Sequence, residues 1–152
     1  KMKIIYNTLL ASLLFFTSIN AYSQNSEQKV KEVLAAYKQK IEALNTEGMS
    51  DLFLTTSEVF ESGGSEGSFD HYLHHHLGPE LKAFKAFNFN NYVVEVKVDG
   101  MYAFATETYD YRIELAEGGR VIEKKGVATS VLKKVDNQWK IMRTHSSSRD
   151  KK

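Results

Sequence analysis

The chain has 152 residues, with 20 lysines and arginines against 19 aspartates and glutamates, five histidines and no cysteine, for a formal net charge of +1. So even a balance excludes the basic footprint of a nucleic-acid binder or of a protein drawn to an anionic membrane surface. The missing cysteines exclude a disulfide framework, so a single domain of this size must be held by its core alone.

Lys1 and Lys3 open the chain, Ile4 to Phe16 is largely apolar, and Ala21 and Ser23 occupy the −3 and −1 positions of a cleavage site after Ser23. This reads as a secretory signal, too short for a membrane span. On that reading residues 1–23 are removed and the protein is exported to the periplasm or the extracellular space. A single domain then occupies residues 24–148, with 149–152 as a flexible tail, and it makes no membrane contact after cleavage.

Val30, Val33, Leu34, Tyr37, Ile41 and Leu44 recur on one face of a 3.6-residue period, which predicts a helix. Asn25 or Ser26 suits its N-cap and Gly48 a left-handed stop, with a further helical turn over Met49 to Leu54. Ser57 to Ser62 reads as a short strand, Val59 and Glu61 on one side, Glu58 and Phe60 on the other. Gly63 to Gly67 is expected as a loop. Ser68 caps a second helix that ends at Gly78-Pro79, and Pro79 restarts a turn over Glu80 to Phe84.

From Phe87 the period changes to two. Tyr92, Val94, Val96 and Val98 alternate up to an Asp99-Gly100 turn. Met101 to Leu115 follows, with Ala103, Ala105, Glu107, Tyr109 and Tyr111 on one side. Glu117-Gly118-Gly119 leads to Arg120–Val135, and Asp136-Asn137 to a last strand, Gln138 to Ser147. Helices followed by a meander of long antiparallel strands make an α+β pattern, in which the early helices cover one face of a curled sheet.

Four segments carry a resemblance: the long helix ending before Met49-Ser50-Asp51-Leu52-Phe53; Glu58-Val59-Phe60-Glu61-Ser62-Gly63-Gly64; Tyr72 to Leu81; and Trp139 to Ser147. Together they resemble the nuclear transport factor 2-like superfamily, in its branch of small secreted polyketide-cyclase-like (SnoaL-like) domains. The resemblance implies a conical, cystatin-like α+β barrel, with helices packed on a strongly curved, mainly antiparallel sheet around a deep pocket, and a homodimer formed through the sheet. The superfamily hosts isomerases, cyclases, dehydratases and pure binding modules, so the fold alone assigns no activity. Its known catalysts use an aspartate base or an aspartate–histidine pair. Here Asp70 and Asp110 match by residue type only.

The histidines are the remaining signal for chemistry. On a regular helix from Ser68, Phe69, Tyr72, Leu73 and His76 share the apolar face, His71 and His75 stack four apart on a neighbouring face, and His74 points to solvent. In the last strand, strict alternation aligns Trp139, Ile141, Arg143 and His145 and aims the last two into the pocket. Two helix histidines with His145 and Glu61 would then make a divalent transition-metal site for zinc, copper, iron or nickel. Three readings stay open. One is a pocket that binds a small ligand or a metal ion through the histidine-rich helix and the last strand. The second is a cyclase-, isomerase- or dehydratase-like enzyme with His76 or His145 as general base, oriented by Glu61 or Glu107. The third is a dimeric interaction protein with a non-functional pocket. Candidate ligand contacts are Glu61, Tyr72, His76, Glu107, Tyr109, Trp139, Arg143 and His145; candidate metal ligands are Glu61, His71, His75, His76 and His145. The tyrosines and Phe84, Phe87 and Phe89 serve either a ligand platform or the sheet core and a dimer face. Lys82, Lys85, Lys124 and Lys125 read as solvated surface charges.

Overall fold

The computed structural model describes residues 24–151. The expected signal lies outside them. Helix α1 spans residues 24–42, already helical at its first described residue, so Asn25 and Ser26 sit inside it. It is followed by a single 3₁₀ turn (Ser50–Leu52) and β1 (Phe53–Glu61). Strand β1 starts four residues before the expected Ser57, because Met49 to Leu54 gives only that short turn before the chain extends. Next come β2 (Gly64–Gly67), α2 (Phe69–Tyr72), a π turn (Leu73–Leu77), α3 (Gly78–Ala83), β3 (Phe84–Asp99), β4 (Tyr102–Leu115), β5 (Val121–Val135) and β6 (Gln138–Asp150). Among the described residues no helix is long and apolar enough to cross a membrane.

The six strands form one sheet in the order β2-β1-β6-β5-β4-β3. All neighbours are antiparallel except β1 and β6, which run parallel. The helices fill the concave face. Phe69 stacks on Phe53 with ring centroids 3.6 Å apart, and Tyr37 meets both edge-on at 5.2 and 5.7 Å. Val30, Leu34, Met49, Leu81, Leu132 and Ile141 complete the fully buried centre.

Four local features depart from the sequence expectations. Gly63 to Gly67 is not a loop but half of a hairpin. Ser62 (φ 50°) and Gly63 (φ 90°) make a tight turn with both central residues left-handed, and β2 pairs back on β1. Strand β6 continues past Ser147, so Arg149 and Asp150 pair with Lys125 and Lys124. The second helix does not end at Gly78-Pro79 but passes through a π turn into α3. Pro79 has no N–H and its ring crowds the carbonyl four residues back, so a regular ladder cannot continue there. The Gly78 N–H instead reaches Leu73 O, five residues back. Gly78 is the residue that permits this, because a Cβ there would stand 2.5 Å from Leu73 O.

The fourth departure concerns face. Strand β6 carries a bulge: Ile141 pairs with Leu132 and Arg143 with Val131, leaving Met142 as an extra residue. A one-residue insertion reverses every later side chain. Trp139 and Ile141 are buried as expected, but beyond the bulge Thr144 and Ser146 turn inward while Arg143 and His145 are exposed on the outer face. A second bulge in β3, between Asn90 and Val93 with Asn91 at φ 51°, works in the opposite sense. It follows the inward Phe87 and Phe89 and brings Tyr92, Val94, Val96 and Val98 to the same concave side.

Candidate active site

The open end of the cone holds a cavity of about 160 Å³ between α1, the π-turn helix and the concave sheet face. Its wall is mainly aromatic, with Tyr37 from α1, Tyr72 from α2, Phe87, Phe89 and Tyr92 from β3, and Tyr109 from β4. Three carboxylates face it: Glu61 at the end of β1, Glu80 on α3 and Glu107 in mid-β4. Thr144 and Ser146, the residues that the β6 bulge turned inward, add hydroxyls.

Glu107 is the most enclosed of the three, 9% exposed. Small neighbours Ala103 and Ala105 on the same strand face leave room beside it, and it looks across at β3. The Tyr92 hydroxyl donates to its Oε2 at 2.5 Å. Burial raises the Glu107 pKa above the ordinary carboxylate value, against the opposing pull of that hydrogen bond. The β3 bulge makes this pair, since strict alternation from Phe89 would point Tyr92 away.

Glu61 accepts from the Tyr72 hydroxyl at 2.7 Å. Burial, followed by the charges of nearby groups, holds the Tyr37, Tyr72, Tyr92 and Tyr109 hydroxyls well above the usual phenol range. They are therefore protonated donors throughout the neutral range. Tyr72 and Tyr92 spend their protons on Glu61 and Glu107. Among the described residues the Tyr37 and Tyr109 hydroxyls have no hydrogen-bond partner. Tyr109 lies flat against Gly126 on β5, where a Cβ would come within 2.2 Å of its Cε2. A glycine inside a strand here marks a close approach of a ring to the sheet. Lys38 is the cation on the wall, and it is held by Glu42 at 2.6 Å over the faces of Phe89 and Tyr92.

The histidines do not line the cavity. His71 and His75 stack at 4.5 Å between centroids, as their spacing predicts, but both are exposed, and His71 Nδ1 contacts Glu66 O at 3.0 Å. His74 is exposed. His76 is half-buried beside the cavity, 3.4 Å from Glu66, 3.4 Å from Glu80 and 3.8 Å from Glu61. His145 is on the convex side of the sheet, opposite Phe60 on β1, so the proposed set of Glu61, helix histidines and His145 does not assemble. Among the described residues no cluster of three or more His, Asp or Glu side chains is arranged to hold a metal ion. The Met142 bulge is the physical reason for His145.

Two other expected ligand contacts also move. Arg143 is on the outer face, where its guanidinium is paired with Glu58 and lies over Phe60. Trp139 is 5% exposed in the core and contributes nothing to the cavity wall. Asp70 is exposed and bonded to Ser50 Oγ, and Asp110 is held by Lys151 and Asn91, so neither serves as a pocket base. Glu61, Tyr72, Glu107 and Tyr109 face the cavity. Sequence reasoning missed Tyr37, Lys38 and Glu80. Tyr37 sat among residues read as a packing face, although its hydroxyl was a signal that this face meets something polar.

An aromatic cavity under a curled sheet, closed by three early helices, defines a cone-shaped α+β domain of the nuclear transport factor 2-like kind. Residues 30–150 match the family model of the SnoaL-like domain, and the chain belongs to that family. Solved structures share the fold. An NTF2-like superfamily protein from Salmonella enterica is 18% identical with a TM-score of 0.75, over 84% of this chain and 94% of that one. A candidate dehydratase of the NTF2-like family from Streptomyces avermitilis is 18% identical with a TM-score of 0.74, over 82% and 98%. Hexachlorocyclohexane dehydrochlorinase LinA-type3 from Novosphingobium barchaimii is 14% identical with a TM-score of 0.67, over 83% and 88%. No curated protein matches the chain.

Proposed function

We propose that the protein is an enzyme that moves a proton at carbon on a small cyclic substrate, with Glu107 as the base. The observation that carries this is a nearly enclosed carboxylate on an aromatic cavity wall, held by a single phenol. A general base works best when its pKa lies near the working pH, and desolvation moves Glu107 in that direction. The Tyr92 hydrogen bond fixes its orientation. As Glu107 takes a carbon-bound proton, the C–H electron pair moves toward an adjacent carbonyl or expels a leaving group from the next carbon. The Tyr37 and Tyr109 hydroxyls are free to donate to the oxygen that gains charge. The cavity, about 160 Å³, is close to the ~150 Å³ that admits benzene in a dry apolar site. That supports a substrate with a single ring. The dehydratase and dehydrochlorinase names among the structural neighbours are both eliminations, which fits the same reading. Glu107 replaces His76 and His145 as base because neither imidazole lines the cavity.

The test needs no knowledge of the natural substrate. Cyclic ketones and enones, 2-cyclohexenone first, are incubated with the protein in D₂O and followed by proton NMR. Wild type is expected to speed deuterium uptake beside the carbonyl, and Glu107→Gln to remove that acceleration. Equal exchange in both, for a ring that NMR places in the cavity, refutes Glu107 as base.

We further propose that two copies pair through the convex sheet face. Val93, Phe104 and Val127 are exposed there, at 54%, 51% and 40%. These are large apolar groups on one surface of one sheet, of the kind that marks an interaction site.

A further inference from the structure

The charge on the cavity wall is lopsided. Glu61, Glu80 and Glu107 face inward, and Lys38 is the cation among the lining residues. Lys38 is already spent: its Nζ is 2.6 Å from Glu42, whose other oxygen accepts the Phe89 N–H at 2.9 Å. The partners of the three acids are mostly neutral. Tyr92 serves Glu107 and Tyr72 serves Glu61. His76 alone can offset charge, and it is shared between Glu61, Glu80 and the off-cavity Glu66. Around these acids stand Tyr37, Phe87, Phe89, Tyr92, Tyr109 and Tyr111, whose ring faces are electron-rich.

We infer that the cavity selects a small ring-bearing or branched ligand that carries a protonated amine, its ammonium set toward Glu61 and Glu80 and its apolar body against the aromatic wall. This rests on the reading of the cavity as the ligand site and adds the ligand's charge. The molecule supplies its own precedent. The Lys38 ammonium lies 5.5 Å from the centroids of both Phe89 and Tyr92, so two of these rings already hold a cation. An anionic ligand would meet three carboxylates and a lysine whose charge is taken. A neutral ligand would leave the acids uncompensated. An ammonium satisfies both the carboxylates and the rings at once. Burial also holds Glu80 above the ordinary carboxylate value, a cost that a bound cation would offset.

The experiment compares three probes of one shape with different charge: benzylamine, benzyl alcohol and benzoate. Binding to the full chain at pH 7 is measured by titration calorimetry, with the Tyr37 and Tyr109 ring signals followed by NMR to locate it. Benzylamine is expected to bind about tenfold more tightly than benzyl alcohol, with benzoate weakest. Glu80→Gln, and separately Glu61→Gln, should bring the amine-to-alcohol ratio toward one. The half-exposed Glu80 side chain keeps the first variant foldable if the second is not. Benzyl alcohol or benzoate binding as tightly as the amine, with ring signals shifting, overturns the amine inference and leaves the cavity as a ligand site. No binding by any of the three, with the ring signals unmoved, overturns both readings. Deuterium exchange dependent on Glu107 alongside equal binding of amine and alcohol overturns the inference alone.

Discussion

Substituting Gly126 by alanine is expected to reshape the cavity and weaken the fold through one contact. A Cβ at 126 would stand 2.2 Å from Tyr109 Cε2 and 2.9 Å from its Cδ2 and Cζ, where ordinary contact begins at 3.4 Å. The ring must retreat by at least 1.2 Å at its nearest atom, the difference between 3.4 and 2.2 Å. The sheet backbone holds position 126 between Tyr109 on β4 and Ser148 on β6, so the strand cannot yield sideways. The ring can only move into the cavity and toward Phe89, which it meets edge-on at 5.0 Å. Forced overpacking of this kind costs about 1–3 kcal/mol. Urea denaturation of wild type, Gly126→Ala, Tyr109→Ala and the double variant measures it. The double variant should recover most of the Gly126→Ala loss, because the clashing ring is gone. A double variant whose destabilisation is the plain sum of the two singles refutes the reasoning.

Glu107→Gln should remove activity yet raise stability at neutral pH. A carboxyl whose folded pKa is raised favours folding while protonated. Wild type therefore loses stability as pH rises from the ordinary carboxylate value through the higher folded one, and the Gln variant does not. The melting-temperature advantage of the variant should grow between pH 4 and pH 7; a constant difference contradicts it. Gly78→Ala sets a Cβ 2.5 Å from the Leu73 carbonyl, a backbone atom that cannot swing aside, and should cost about 1–3 kcal/mol in thermal melts. Deleting Met142 removes only the extra residue, leaving Ile141 opposite Leu132 and Arg143 opposite Val131 with Arg143 and His145 still on the outer face; circular dichroism should still show a cooperative two-state melt, and its loss contradicts the bulge assignment. Sedimentation of wild type should give a dimer, and Phe104→Asp a monomer.

The elements that could be read from the sequence are those set by local rules. The α1 period, the Ser68 cap and the turns at Asp99-Gly100 and Asp136-Asn137 each depend on a few adjacent residues. The Ala103-Ala105-Glu107-Tyr109 alternation likewise placed two cavity residues on the correct face, because β4 has no bulge beside them. What could not be read is where alternation is interrupted. Neither Met142 nor Asn91 has a side chain that announces a bulge; each is fixed by its pairing with the neighbouring strand of its hairpin, β5 for Met142 and β4 for Asn91. Counting straight through Met142 sent His145 inward, and with it the metal site. Tyr92 illustrates the opposite case. Its inward position survives only because its own bulge lies just before it. The π turn did leave a trace in Gly78-Pro79, which reads as a helix end on local grounds and is kept within a helix by the packing of Leu77 and Leu81.

The parallel pairing of β1 with β6 orders events in time. As the ribosome makes the chain, β1 and β2 emerge early, but the strand that ties them to the rest of the sheet, the thirteen-residue β6, is the last of the six strands to appear. Until then the hairpin has no central neighbour, and Thr144 and Ser146 have not reached their places beside it. Nascent chains lacking β6 are therefore open on both sides of the gap it fills, and the sheet closes only once that strand has been made.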